Sequence, residues 1–187
     1  MQNIAIFASY NGSGFDAIYG AIKEKKLNLN IAFVLSNNTE AKALQKAKDY
    51  GITHYLINAK TDSNPDYMIM ELLKQYNCKY IFLSGYMKKV SPAICNNFKV
   101  INSHPALLPK YGGKGMYGKF VHEAVIANKE KISGVTIHEV NEFYDEGKIL
   151  YQESLTLNDN ESALSLEEKI KALEQTAIVH GLQRCLN

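Results

Sequence analysis

The sequence predicts an α/β fold with a mostly parallel, twisted sheet, helices on both faces, a late antiparallel hairpin and a long C-terminal helix. Up to Asn102, short apolar runs alternate with segments of helical periodicity. After about residue 130, two strand-like runs follow each other without a helix between them. Alternating strands and helices are typical of parallel βαβ units. The predicted architecture is therefore Rossmann-like.

Five short apolar runs predict the buried strands of the sheet. They are Ile4–Ser9, Ile31–Ser36, Tyr55–Ile57, Tyr80–Ser84 and Val100–Asn102. Between them, Phe15–Lys25 and Ala41–Tyr50 have helical periodicity, and Gly51 would end the second helix. Asn64–Pro65 and Ser91–Pro92 each place a capping residue before a proline, which is typical of a helix start. We therefore expect four helices between the five strands.

The region after residue 130 predicts the hairpin and the last helix. Gly134–Val140 and Lys148–Ser154 have strand character and are joined by the acidic turn Asn141–Gly147. Ser165 and Glu168 form a capping-box pattern for the start of a long helix. The apolar residues that recur on one face of this helix are Leu166, Ile170, Leu173 and Ala177. We expect that face to pack back onto the sheet.

Length and composition bound the organisation and the partners of the protein. The chain has 187 residues, of which 46% are hydrophobic, so it can bury one core and we expect a single domain over residues 1–187. The formal net charge is +2 and the basic residues are scattered, which argues against nucleic-acid and membrane partners. We expect small-molecule substrates and either a monomer or a homodimer.

Targeting signals and metal-ligand patterns are both missing from the sequence. It has neither a signal-like N-terminus nor an apolar run long enough to span a membrane, so a cytoplasmic location is expected. The cysteines are widely spaced without a Cys-x-x-Cys pair, and the histidines show no metal-ligand spacing. No metal site is expected.

The segment Lys99–Lys110 contains the most informative pair of side chains. Asn102 and His104 are two residues apart at the end of a predicted strand, so they share one face. A carboxamide and an imidazole that converge on one carbonyl can together stabilise an oxyanion. Pro105 favours an extended conformation at His104. Each residue alone is more often structural, but their pairing at a strand end favours a catalytic role.

The loop Tyr10–Gly14 follows the first predicted strand and precedes the first predicted helix. Backbone N–H groups and the helix dipole make such a loop a phosphate site, and the alternative is a tight glycine turn. Its two glycines and Ala17 also fit the G-x-G-x-x-A dinucleotide pattern, so a nicotinamide-dependent oxidoreductase is an alternative. The acidic residue expected after the second strand is missing, however, because residues 36–38 are Ser-Asn-Asn.

Three further charged residues lie where they could meet a ligand. Asp145 is in the acidic turn of the predicted hairpin. Beside His104 it would raise the imidazole pKa from about 6.5 and favour the imidazolium, whereas the alternative is an ordinary exposed turn aspartate. Lys88 and Lys89 follow another strand end and are either a solvated charge pair or a contact for an acidic ligand tail.

Four elements occur together along the chain. They are the loop Tyr10–Gly14, Ser84-Gly-Tyr-Met87, Asn102-Ser-His-Pro-Ala-Leu-Leu-Pro109 and Tyr144-Asp-Glu-Gly147. With them, nearly the whole chain resembles the glycinamide ribonucleotide formyltransferases of purine biosynthesis, in the folate-dependent formyltransferase superfamily. The third element is highly specific for that superfamily. The resemblance implies that the formyl group of 10-formyltetrahydrofolate, a cosubstrate, is transferred through a tetrahedral intermediate to the amine of glycinamide ribonucleotide, without a metal.

The resemblance also implies roles for particular residues. Asn102 and His104 would stabilise the tetrahedral oxyanion, while Asp145 would keep His104 cationic and assist proton transfer through water. The substrate phosphate would be bound by Asn11, Gly12, Ser13 and Gly14. The folate would be bound by Met87, Lys88, Lys89, Val90, Asn102, His138, Asn141 and Glu142.

Three regions depart from the family pattern. Tyr10 and Gly14 stand at the ends of the phosphate loop, Asn64 replaces a basic residue of many members, and Glu174-Gln-Thr176 replaces a Glu-His pair. Another amine, or water as in the formyltetrahydrofolate hydrolases, is therefore an alternative acceptor. A nicotinamide-dependent oxidoreductase and a non-catalytic folate-binding protein are the remaining alternatives.

Overall fold

The computed structural model describes residues 1–186, which form two compact units. The first unit comprises Met1–Ile101, and the second begins at Asn102. No helix within these 186 residues is both long and apolar enough to cross a membrane. A single domain over residues 1–187 stays a prediction.

The first unit consists of parallel strands that alternate with helices. Its elements are β1 (Gln2–Phe7), α1 (Ser13–Lys23), β2 (Leu29–Ser36), α2 (Lys42–Asp49), β3 (His54–Leu56), α3 (Pro65–Gln75), β4 (Cys78–Leu83), α4 (Pro92–Asn97) and the first half of β5 (Lys99–His104). The strand order is β3-β2-β1-β4, and these pairings are all parallel. Ile4, Ala5 and Ile6 of β1 are fully buried. Because successive side chains of a strand point to opposite faces, both faces of β1 are covered.

The local sequence explains how two helices of this unit begin. Asn64 caps α3, because its side chain accepts the N–H of Tyr67 at 3.2 Å and Pro65 occupies the first turn. Helix α1 begins after Gly12, which has a left-handed φ of 69°. A Cβ at this position would also lie only 2.9 Å from Cβ of Ala43. Conformation and space therefore both require glycine.

The second unit is built on an antiparallel hairpin. After the end of β5 it contains α5 (Lys119–Ala127), β6 (Ile132–Glu139), β7 (Ile149–Thr156) and α6 (Ala163–Leu186). Strands β6 and β7 pair antiparallel, with Thr136 opposite Gln152. Gly181 of α6 lies so close to β6 that an added Cβ would be 2.8 Å from three side-chain atoms of Ile137. This close approach seats the long helix on the hairpin.

The predicted fold class is confirmed, with strand boundaries shifted by a few residues. The predicted capping box at Ser165 and Glu168 is wrong, because α6 already begins at Ala163. The hydroxyl of Ser162 accepts the N–H of Ser165 at 3.1 Å, while the hydroxyl of Ser165 donates to Glu161. Ser162 immediately precedes the helix, and its hydroxyl satisfies the N–H of Ser165, which has no acceptor within the first turn. The helix therefore starts before the predicted cap.

Candidate active site

Strand β5 ends with Asn102 and His104, the first residues of the second unit that carry candidate chemistry. The two side chains lie on one face because strand residues alternate. The imidazole is only 3% exposed, and Asn102 is half-buried. Residues 105–118 then form neither helix nor strand. Both residues therefore occupy the carboxyl end of a strand, as predicted.

Both ring nitrogens of His104 face hydrogen-bond acceptors. Nε2 lies 2.7 Å from the carbonyl oxygen of Tyr111. Because a carbonyl oxygen can only accept, Nε2 carries a proton and donates it. Nδ1 lies 3.6 Å from Oδ2 of Asp145. When the ring is neutral, its bare nitrogen is therefore Nδ1, on the side of the carboxylate.

Asp145 lies in the turn between β6 and β7 and has a left-handed φ of 58°. Its Oδ2 accepts the N–H of Gly113 at 2.9 Å. Its Oδ1 lies 3.6 Å from Nε2 of His138, so the carboxylate has an imidazole beside each oxygen. The alternative of an ordinary exposed turn aspartate is therefore wrong in its geometry, because Asp145 is only partly exposed and close to His104.

His138 connects Asp145 to Asn102. Its Nδ1–H donates to the backbone carbonyl of Glu139 at 2.9 Å, which leaves Nε2 as the bare nitrogen of a neutral ring. Nε2 accepts an N–H of Asn102 Nδ2 at 3.2 Å. That bond orients the carboxamide of Asn102, because only the NH₂ group of an amide can donate.

Burial is the largest influence on the pKa of both histidines. It lowers the pKa of His104 below 6.5, although Asp145 and the Tyr111 carbonyl act in the opposite direction. Burial likewise lowers the pKa of His138, against the effect of Glu139 and Asp145. The carboxylate of Asp145 does favour the cation of His104, but removing the ring from water has the larger effect. That Asp145 keeps His104 cationic during the reaction stays a prediction.

Glu174 of α6 lies beside the same strand. It accepts the hydroxyl of Ser103 at 2.6 Å. Burial raises the pKa of its carboxyl group above the ordinary value. The sequence showed this glutamate only as part of a departure from the family pattern, since no local pattern indicates that it reaches the residue between Asn102 and His104.

A cavity of about 430 Å³ opens beside Asp145. It is lined by Pro109, Gly112, Gly113, Tyr144, Asp145, Glu146, Gly147 and Ile149. The glycines leave backbone groups accessible, and Tyr144 and Ile149 supply apolar surface. Within residues 1–186, no three His, Cys, Asp or Glu side chains are grouped closely enough to hold a metal ion.

The predicted phosphate loop lies in the first unit. Asn11 is exposed, Gly12 is left-handed, and Ser13 and Gly14 are the first residues of α1. The ammonium group of Lys46 donates to the carbonyl of Asn11 at 2.9 Å and pairs with Asp16 at 2.5 Å. A lysine of α2 therefore holds the loop in place, a role that local sequence patterns did not indicate.

Four of the predicted folate residues follow β4 in the first unit. They are Met87, Lys88, Lys89 and Val90. Met87 is 47% exposed, and its N–H donates to the hydroxyl of Ser9 at 2.8 Å, whereas the Val90 side chain is buried. The bond to Ser9 anchors this segment to the end of β1.

The other predicted folate residues belong to the second unit. His138 and Asn102 are brought together by their hydrogen bond. Asn141 and Glu142 are exposed in the hairpin turn, where Oδ1 of Asn141 accepts the N–H of Phe143 at 2.9 Å. They therefore contribute to the rim of this unit and not to its buried cluster.

Comparison with known proteins points to one family. A family model described as formyl transferase matches residues 2–182. The chain is 33% identical over 174 residues to the chloroplastic phosphoribosylglycinamide formyltransferase of Vigna unguiculata. The aligned region covers 90% of this chain and 56% of the plant protein. The chain is also 30% identical over 179 residues to the phosphoribosylglycinamide formyltransferase of Bacillus subtilis (strain 168), which covers 93% of this chain and 89% of that protein. The chain thus spans little more than half of the plant relative and most of the bacterial one.

Solved structures agree with this result. Glycinamide ribonucleotide transformylase 1 from Geobacillus kaustophilus has a TM-score of 0.90 and 26% identity, with 100% of both chains covered. Phosphoribosylglycinamide formyltransferase from Brucella melitensis has a TM-score of 0.89 and 28% identity, and covers 98% of this chain and 95% of that one. The chain therefore belongs to the formyl transferase family and, within it, to the phosphoribosylglycinamide formyltransferases.

Proposed function

We propose that the protein transfers the formyl group of 10-formyltetrahydrofolate to the amine of glycinamide ribonucleotide in purine biosynthesis. The observation that carries the proposal is the meeting of a carboxamide, an imidazole and a carboxylate in one cluster. Asp145 lies 3.6 Å from both His104 and His138, and His138 binds Asn102. The names of the relatives point to the same reaction.

Asn102 supplies the donor for the oxyanion. One N–H of its Nδ2 is directed to His138, which leaves the other for a ligand. An N–H group that is already oriented stabilises a developing oxyanion without reorganisation during the reaction. We therefore assign to Asn102 the stabilisation of the tetrahedral intermediate.

Asp145 and His104 handle the proton. Attack of an amine on the formyl carbon forms a C–N bond and places positive charge on that nitrogen and negative charge on the formyl oxygen. The nitrogen must then lose a proton, which the Asp145 carboxylate can accept directly or through water. When the intermediate collapses, the carbonyl reforms, the C–N bond to tetrahydrofolate breaks and the leaving nitrogen takes up the proton.

His104 can change its protonation state during this sequence. Burial lowers its pKa from the ordinary value, which favours the neutral ring before the reaction. A nearby oxyanion would favour the cation, as Asp145 already does. The imidazole would therefore share the proton with Asp145 and stabilise the charge on the formyl oxygen.

The two substrates are assigned to the regions that the family resemblance implies. The phosphate of the ribonucleotide would bind the N–H groups of residues 11–14, at the start of α1. The folate would bind residues 87–90 and the segment from His138 to Glu142. The cytoplasmic location, and the choice between a monomer and a homodimer, stay predictions.

An acceptor comparison tests the proposal. The purified protein is supplied with 10-formyltetrahydrofolate and, in separate reactions, with glycinamide ribonucleotide, an amino-sugar nucleotide or water alone, and release of tetrahydrofolate is followed. We expect release that depends on the ribonucleotide. Faster release with another acceptor would reassign the acceptor. No release with any acceptor would reject formyl transfer, and tight binding of a nicotinamide cofactor would favour an oxidoreductase instead.

A further inference from the structure

Glu130 and Tyr111 connect the surface of the second unit to the buried imidazole. Glu130 lies between α5 and β6, and its Oε1 accepts the Lys110 ammonium at 2.8 Å and the Tyr111 hydroxyl at 2.9 Å. The backbone carbonyl of Tyr111 accepts Nε2–H of His104 at 2.7 Å. Tyr111 is thus bound to Glu130 by its side chain and to His104 by its backbone.

The backbone of Tyr111 requires such an anchor. Its φ is 59°, in the left-handed region that side chains other than glycine rarely adopt. A conformation of this kind persists only where surrounding contacts hold it. The hydroxyl of Tyr111, bound to Glu130, is a contact that holds the tyrosine in place while its carbonyl faces His104.

We propose that Tyr111 and Glu130 are positioning residues that set the tautomer of His104, an inference that rests on the proposed function. Because the Tyr111 carbonyl only accepts, it keeps the proton of the neutral ring on Nε2. Nδ1 is then the nitrogen that exchanges a proton, and it faces Asp145 at 3.6 Å. A displaced Tyr111 would permit the other tautomer, in which Nδ1 is already protonated and can accept nothing from the reaction.

The tautomer can be measured without any enzymatic assay. Nitrogen NMR shifts of the His104 ring distinguish a protonated from a bare nitrogen, and loss of the signals in His104→Gln assigns them. We expect the Nε2–H form in the wild-type protein and a mixture of tautomers in Tyr111→Phe and in Glu130→Gln. An Nδ1–H form in the wild type, or unchanged ring signals in both variants, would overturn the proposal.

Kinetics provide the second measurement. Loss of the hydroxyl in Tyr111→Phe, or of the carboxylate charge that strengthens its hydrogen bond in Glu130→Gln, should lower kcat by about 3- to 10-fold, with KM for both substrates within about twofold of the wild type. The double variant should lose no more than either single variant, because both changes weaken the same connection. Losses that multiply in the double variant, or a rise in KM at unchanged kcat, would contradict the proposal.

The pH profile separates positioning from a general loss of structure. The Tyr111 carbonyl favours the cation of His104, so the limb of the kcat profile that reports this ring should move to lower pH in both variants. The other titratable groups that act on His104 are Asp145, His138 and His122, and none of them is altered. An unmoved limb in both variants would contradict a positioning role.

Asp159→Asn is the matched control. Asp159 pairs with Lys131 at 2.8 Å on the surface, and its substitution makes the same carboxylate-to-amide change as Glu130→Gln. It should leave kcat, the pH profile and the tautomer unchanged, and an equal loss of kcat there would overturn the assignment to Glu130. A wild-type protein without formyl transfer would reject the proposed function, while NMR would still decide the tautomer.

Discussion

Oδ2 of Asp145 lies 3.6 Å from Nδ1 of His104, although one residue ends β5 and the other lies in the turn between β6 and β7. The same oxygen accepts the N–H of Gly113 at 2.9 Å, and Oδ1 lies 3.6 Å from His138. The carboxylate is therefore held where strand, hairpin and loop meet. It therefore lies beside two buried imidazoles, those of His104 and His138.

Asp145→Asn should lower kcat/KM by about 10²- to 10³-fold, because the amide keeps the acceptor for Gly113 but loses the negative charge and the basicity. His104→Ala should cause a loss of similar size. Steady-state kinetics with saturating 10-formyltetrahydrofolate and varied glycinamide ribonucleotide measure both effects. Retained turnover in the two variants would remove these residues from the reaction, and Asp159→Asn serves again as the surface control.

Asn102→Ala should reduce the chemical step by about 10²- to 10³-fold, because it removes the proposed oxyanion donor. His138→Asn should reduce it less, by about 3- to 10-fold, since only the orientation of the carboxamide is lost. Single-turnover rates separate this step from product release. Equal losses in the two variants would indicate that His138 does more than orient Asn102.

Stability should decrease as the pH falls below about 6.5. Burial lowers the pKa of His104, His122 and His138 in the folded protein, so the unfolded chain binds more protons over the range from 6.5 down to the folded values. The contribution of these histidines to the free energy of unfolding is therefore complete above pH 6.5. It decreases as the pH falls from 6.5 to the pKa values of the folded protein. Urea unfolding at a series of pH values measures the slope.

His122→Leu should flatten this pH dependence. The ring is 3% exposed, and within the described residues its Nδ1 has no hydrogen-bond partner, so an apolar replacement removes a group that opposes folding when protonated. Ser133→Ala is the control, because Ser133 is equally buried and its hydroxyl has no partner within the described residues, but a serine does not titrate and its loss should leave the slope as it is. An unchanged slope in His122→Leu would show that this histidine does not drive the effect.

Gly181→Ala should destabilise the protein by about 1–3 kcal/mol, because the new Cβ would be 2.8 Å from the Ile137 side chain. Gly20→Ala is the matched change in α1, where nothing lies within 4 Å of the added carbon. It should stabilise by about 0.5–1 kcal/mol through helix propensity. Thermal unfolding of both variants checks the difference, and a stable Gly181→Ala would mean that α6 can move away from β6.

Much of the fold was predictable because its signals are local. Each strand of the first unit is a short apolar run, and both predicted proline starts are observed at Pro65 and Pro92. The hairpin is also where alternation and an acidic turn place it. The start of α6 was missed because Ser162 and Ser165 offer competing caps, and only the observed hydrogen bond decides between them.

The residues of the candidate site were likewise predictable only in part from the sequence. Asn102 and His104 were found from a two-residue spacing, which any extended strand converts into a shared face. Local spacing did not place Asp145 beside them, and the family resemblance alone implied it. No pattern pointed to Tyr111, since its contribution comes from a backbone carbonyl that every residue possesses.

The sequence by itself determined the order of the strands, the order of the helices apart from α5, and the pair at the end of β5, because apolar periodicity and strand alternation act over a few neighbouring residues. Only the tertiary structure decided which distant groups surround that pair and how strongly burial opposes a charge on His104. Those properties depend on how the hairpin and the loop return to β5 and on how completely they exclude water from the imidazole.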